Sequence, residues 1–198
     1  MLVKLCGTSG SGKSTVARSL LERGVVSKLS HAYRVDIDEL DKPLYILGLY
    51  VTECGGCDTL TAGQQIDLIH KYARLGHVFY EGLLGSEYYG KLGEASELYG
   101  RDHIFAFLDT PIEECIKRVK QRRWKAGNRK PFKEENTRNR VTKIHSLRMR
   151  LKGSGRHVVD IDWKNANEQV YNLFRGDRDQ SRATKDNELL DARASENP

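Results

Sequence analysis

No stretch of this sequence approaches the roughly 20 consecutive apolar residues that span a bilayer, and charged residues make up 30% of its 198 positions. A membrane partner is therefore not expected. The start carries one lysine and the short run "MLVKLC" before glycines take over, too little for a secretory leader. Cysteine is scarce as well: Cys6, Cys54, Cys57 and Cys115. Cys54 and Cys57 form a lone "CGGC", and no second pair stands at zinc-ligand spacing. Its glycines read as a tight turn, and Cys6 and Cys115 read as small apolar residues of a strand and a helix. These absences point to a cytoplasmic protein of about one domain's length.

Acid is nearly missing from one segment. Residues 117–152 hold 15 Lys and Arg against only Glu134 and Glu135, while the rest of the chain has 18 basic and 25 acidic residues. The net charge of +6 thus comes from a single block, which should attract polyanions.

What is present is an alternation of strands and helices. Residues 2–6, 32–38, 77–82, 103–109 and 156–162 read as strands. Helical spacing is found over 13–23, 63–76, within 134–151, and from Asn165 to near Phe174. "TPIEECIKRV" should open another helix, with Thr110 as N-cap, Pro111 at the first position and Glu113 completing a capping box. Residues 44–63 carry no clear pattern, and 84–100 should form a broken helix or long loop. Beyond Gly176 the chain is polar and aperiodic, so a disordered tail over 176–198 is expected. The pattern implies an α/β fold with a five-stranded parallel sheet covered by helices on both faces.

Directly after the first strand stands "GTSGSGKST", residues 7–15. Gly7, Gly12, Lys13 and Ser14 match G-x-x-x-x-G-K-[ST] between a strand and a helix, the context this motif requires. Glycines allow backbone N–H groups to converge on phosphate, and the helix N-terminus adds partial positive charge. Gly7, Thr8, Ser9, Gly10, Ser11, Gly12, Lys13, Ser14 and Thr15 are therefore the expected nucleoside triphosphate site. Lys13 would reach the β- and γ-phosphates, and Ser14 would hold Mg²⁺.

Three carboxylates are candidates for the chemistry. Asp36 and Asp38 are two apart in "VDID" and so point to one side of a strand end. Asp36 is assigned to the metal, and Asp38 to accepting the proton of an attacking hydroxyl. Glu81 closes the apolar run "HVFY" and suits magnesium or substrate. The guanine-reading N-K-x-D of GTPases is absent.

The glycine loop, "VDID" and "IFAFLDTPIEECIKRVKQRR" resemble the P-loop kinases of small molecules and nucleic acids over residues 1–175. That resemblance implies ATP and Mg²⁺, strand order 2-3-1-4-5, and a basic lid over about 118–135 whose Arg118, Arg122 and Arg123 close on the phosphoryl group. It also implies that "DWKNAN", after the last strand, packs on the adenine. "YVTECGGCDTL" and "GHVFYEGLLGSEYYG" are similar to phage kinases that phosphorylate 5-hydroxymethyluracil within DNA, which implies a DNA acceptor and the host cytoplasm. The D-R-[YH] signature of thymidylate kinases is missing. Kinases of free nucleotides or other small hydroxyl acceptors, and polynucleotide 5'-hydroxyl kinases, remain the alternatives. Fifteen cations across 36 residues suit a polymer better than one phosphate, and Trp124 among them is placed to stack on a base.

Overall fold

The computed structural model describes residues 1–51, 56–82 and 98–176. Among the described residues seven strands form one sheet: β1 (Leu2–Cys6), β2 (Val25–Lys28), β3 (Ala32–Asp36), β4 (Leu44–Leu47), β5 (His77–Glu81), β6 (His103–Leu108) and β7 (His157–Ile161). Their spatial order is β2-β3-β4-β5-β1-β6-β7. Among the described residues they are accompanied by helices α1 (Lys13–Leu21), α2 (Ala62–Ala73), α3 (Ile112–Lys125), α4 (Glu134–Gly153) and α5 (Ala166–Arg175). The expected tail and most of the 84–100 stretch fall outside the described residues.

The sheet is mixed, which corrects the expectation of five parallel strands. β4, β5, β1, β6 and β7 are mutually parallel, while β3 runs antiparallel to both β2 and β4. The order 2-3-1-4-5 does hold within the parallel five, but its second strand is "LYIL" of β4 rather than "AYRVDID". The reason is local. Leu44–Leu47 is a fully buried apolar run bounded by Pro43 and Gly48, whereas β2 and β3 form an edge hairpin with Val25 73% exposed.

Every residue of β1 is buried, and its side chains alternate between the two faces of the sheet, which sets the layers. Val3 and Leu5 pack with Val16, Ala17 and Leu20 of α1 and with Val170 and Phe174 of α5. Leu2 faces the other way, with Ile69 and Tyr72 of α2. Cys6 and Phe107 meet Ile144, Leu147 and Leu151 of α4 on that second face. Each large apolar side chain so buried contributes about 1.5–3 kcal/mol. Val141, expected in the same stripe, is 37% exposed.

The caps differ from their sequence signatures. α2 has a capping box between Thr61 and Gln64. α3 begins after Pro111 with no side-chain cap, because the Thr110 hydroxyl donates instead to the Ser11 carbonyl at 2.7 Å. Glu113 is drawn away to Arg138, at 2.8 Å. Asn165 provides no side-chain cap for α5, and Glu168 pairs with Arg23. The Thr110 bond ties the glycine loop to the start of α3.

Candidate active site

The carboxyl ends of the five parallel strands share one edge, and the glycine loop leaves β1 there. Gly10 has φ +82°, and a Cβ on it would lie 2.4 Å from the Cys115 carbonyl of α3. Glycine is required at this point both for the backbone turn and for the close approach. Thr15 and Val16 donate to the Gly12 carbonyl at 2.9 and 3.1 Å and open α1. The loop is thus held by the first turn of α1 on one side and by α3 on the other.

Lys13 is buried, and its Nζ donates to the carbonyls of Gly7 (2.9 Å) and Thr8 (3.0 Å). Ser14 Oγ donates to Glu81 Oε1 at 3.0 Å. Glu81 ends β5 only 1% exposed. Burial raises its pKa, against the opposing pull of the Lys13 ammonium and the Ser14 hydrogen bond, while Asp58 adds to the rise. Gly56 seals the other side of this carboxylate, since a Cβ there would stand 2.5 Å from Glu81 Oε1.

Above the loop opens a cleft of about 790 Å³. Besides residues 9–15 it is lined by Asp58 and Glu81 at one end, Arg118, Gln121, Arg122 and Lys125 along α3, and Trp163, Lys164 and Asn167 beyond β7. Arg118 is oriented by Glu114 (2.8 Å) and by the Gly10 carbonyl (3.4 Å), and its guanidinium lies 5.0 Å from the centre of the Trp163 ring. The Trp163 amide is fixed by Asp109 Oδ1 at 2.8 Å. Arg118 and Arg122 thus line the cleft, together with Trp163, Lys164, Ala166 and Asn167 of the "DWKNAN" segment.

Asp36 and Asp38 do not. Because β3 is antiparallel to β4, with Val35 opposite Leu44, Asp36 lies at the amino edge of the parallel strands. There it pairs with Arg34 at 2.8 Å, and Asp38 is exposed on the following turn. The same edge holds Asp41, bonded to His77 at the start of β5. Neither member of the D-x-D lines the cleft, so the assignments of Asp36 to metal and of Asp38 to proton transfer are corrected.

Asp58 is the carboxylate that the sequence reading missed. It sits on a 3₁₀ turn, Cys57–Thr59, just after the crossing of Leu49 and Gly56 beyond β4. Gln65 of α2 pins that turn by donating to the carbonyls of Cys57 (3.0 Å) and Leu60 (3.2 Å). A Cβ on Gly82 would lie 3.3 Å from Asp58 Oδ1, so the two carboxylate-bearing segments are adjacent. The signal was the Pro- and Gly-bounded run "LYIL". Read as the second parallel strand, it sends the following residues to the carboxyl edge.

Ser14, Glu81 and Asp58 offer only oxygen donors, which suit a hard cation such as Mg²⁺. Nearby Cys57 is fully buried, and its pKa is pushed up to about 12 by that burial, so it remains a thiol. Among the described residues no helix is long and apolar enough to cross a membrane.

Comparison with known proteins gives matches of three kinds. A family model described as an AAA domain matches residues 3–143. The chain is 35% identical over 174 residues to the 5-hmdU DNA kinase of Pseudomonas phage PaMx11, covering 81% of this chain and 90% of that protein. The 5-hmdU DNA kinase of Pseudomonas phage M6 is 28% identical, over 83% of this chain and 92% of its own. Among solved structures, deoxyadenosine kinase from M. mycoides with bound dATP aligns with a TM-score of 0.47 at 13% identity, covering 87% of this chain and 98% of that one.

Proposed function

We propose, for a chain that belongs to the AAA-domain family and to the phage 5-hmdU DNA kinases, that it transfers the γ-phosphoryl group of ATP to the hydroxymethyl oxygen of 5-hydroxymethyluracil in DNA. The observation that carries the reaction type is the Ser14–Glu81 pair beside Lys13 at the floor of the cleft. The acceptor is supported by the name that the relatives share.

In this reading the glycine-loop amides and Lys13 hold the β- and γ-phosphates. Ser14 and Glu81 would hold Mg²⁺, which supplies neutralising charge across the phosphate oxygens. The acceptor oxygen forms a bond to the γ-phosphorus, the bond from that phosphorus to the β–γ bridging oxygen breaks, and ADP leaves. The acceptor hydroxyl proton passes to Asp58, the exposed carboxylate that lines the cleft. Arg118 and Arg122, along the α3 wall, meet the charge that spreads over the transferring group. Trp163 packs on the adenine. Residues 118–135, comprising the end of α3, the connection and the start of α4, act as the lid.

Label transfer from γ-labelled ATP tests this reading. A duplex carrying 5-hydroxymethyluracil should take up label and the same duplex with thymine should not. Label on both, or only on free nucleotides, contradicts it.

A further inference from the structure

We infer that the tip joining α3 to α4, residues 121–133, is the surface that grips duplex DNA, and that Trp124 is a wedge replacing the target base in the stack. This rests on the reading of DNA as acceptor.

Charge is the first argument. Much of the basic block is already neutralised within the protein. Lys117 and Arg118 pair with Glu114, and Lys120 pairs with Glu134. Arg138 pairs with Glu113 and Glu134, and Arg148 and Lys152 pair with Asp160. The stretch "QRRWKAGNRKPFK" contains six cations and no acid. None of those six forms an ion pair among the described residues. Arg122 and Lys125 line the nucleotide cleft, so Arg123, Arg129, Lys130 and Lys133 at the tip are the charges left for a polyanion.

The second argument is the indole. Trp124 is 67% exposed on the last turn of α3. It belongs neither to the buried stripe of Cys115, Ile116 and Val119 nor to the wall of Arg118, Gln121, Arg122 and Lys125 that lines the cleft. The Arg129 guanidinium lies 3.3 Å from its ring centre. That stack is built rather than incidental. Arg123 donates to Asn128 Oδ1 (3.2 Å) and to the Lys130 carbonyl (2.8 Å). The Gly127 and Asn128 amides return to the carbonyls of Trp124 and Arg123. The connection is thus folded back on α3, presenting a flat cationic–aromatic plate to solvent.

The third argument is access. Glu81 and Lys13 are buried at the floor of the cleft, and Lys125, adjacent to Trp124, lines it. A hydroxymethyl group on a stacked base cannot reach that floor, so the base must leave the duplex. An exposed aromatic beside the opening can fill the gap.

The test uses a 5-hydroxymethyluracil duplex with 2-aminopurine beside the target, and the matching single strand. Wild-type binding should raise 2-aminopurine fluorescence. Trp124→Ala should abolish the rise and lower kcat/KM on the duplex at least tenfold. It should change the single strand, already unstacked, less than twofold, with the melting temperature unaltered; Trp124→Phe should restore most duplex activity. Arg129→Ala should reduce the salt slope of duplex affinity by about 0.9, one phosphate contact. A Trp124→Ala enzyme with full duplex activity, or with equal losses on both substrates, overturns the wedge. Absence of wild-type transfer to either DNA overturns the acceptor reading instead.

Discussion

Ser14 of the glycine loop and Glu81 at the end of β5 share a 3.0 Å hydrogen bond across 67 residues of sequence. It joins the first helical turn to the neighbouring parallel strand, and both oxygens face the cleft floor. Glu81→Gln keeps the shape and removes the charge. Turnover should fall about 100-fold or more with a raised magnesium requirement. The melting temperature should hold or rise, because a carboxylate buried at a cost is replaced by a neutral amide. Magnesium titration of the rate, with thermal unfolding alongside, checks both parts.

Lys13→Ala should reduce phosphoryl transfer by about 1,000-fold, the effect of losing a cation aimed at the transferring group. Lys13 is buried and bonded to two carbonyls, so the variant should also lose about 1–2 kcal/mol of stability. Steady-state rates and urea unfolding measure the two effects separately.

Asp36→Asn and Asp38→Asn should each leave kcat within about twofold, since both residues lie at the far edge of the sheet. Asp58→Asn should lower kcat about 100-fold or more while ATP affinity is retained. A large loss with Asp38→Asn and none with Asp58→Asn would reverse this assignment.

Much of this site was legible in the sequence, for identifiable reasons. The glycine loop is local: its residues are contiguous, so motif and site coincide. Glu81 follows from the strongly patterned strand "HVFYE", while Arg118 and Arg122 come from the resemblance to P-loop kinases, on a helix whose start "IEECIKRV" is clearly patterned. The D-x-D failed because strand direction is a tertiary property. "AYRVD" and "LYIL" both read as strands, but only pairing tells which one runs parallel to β1. Asp58 was hidden for the same reason. The caps failed where a tertiary partner, Ser11 for Thr110 and Arg138 for Glu113, outcompeted the local one.

Gly56→Ala should cut activity severely. Its φ is +75°, and the added Cβ would fall 2.5 Å from Glu81 Oε1, so both the turn before Asp58 and the carboxylate must shift. Activity should drop at least about tenfold, as expected when catalytic groups are displaced by an ångström. Serine at Gly63, where an added Cβ meets nothing within 4 Å, is the neutral control.

His103 is buried between Tyr80, whose hydroxyl lies 2.8 Å from Nε2, and the stacked Phe105. Burial lowers its pKa from the ordinary 6.5 to about 3. Between those values the unfolded chain takes up a proton that the folded protein refuses. Stability from this group is thus complete above pH 6.5 and is lost as pH falls toward 3, by up to about 1.4 kcal/mol per pH unit. The double variant Tyr80→Phe, His103→Phe should unfold with a shallower acid dependence than wild type when urea midpoints are compared from pH 7 to 4.

The most direct measurement of the central claim locates the transferred phosphate. A duplex with 5-hydroxymethyluracil is incubated with the protein, ATP and Mg²⁺, digested by nucleases alone to nucleoside monophosphates, and analysed by mass. The account predicts a 5-hydroxymethyluracil nucleoside monophosphate carrying a second phosphate on its hydroxymethyl oxygen, in proportion to the modified bases present, and none from the thymine duplex. Phosphate found on 5' ends, or transfer to free nucleotides alone, would contradict it.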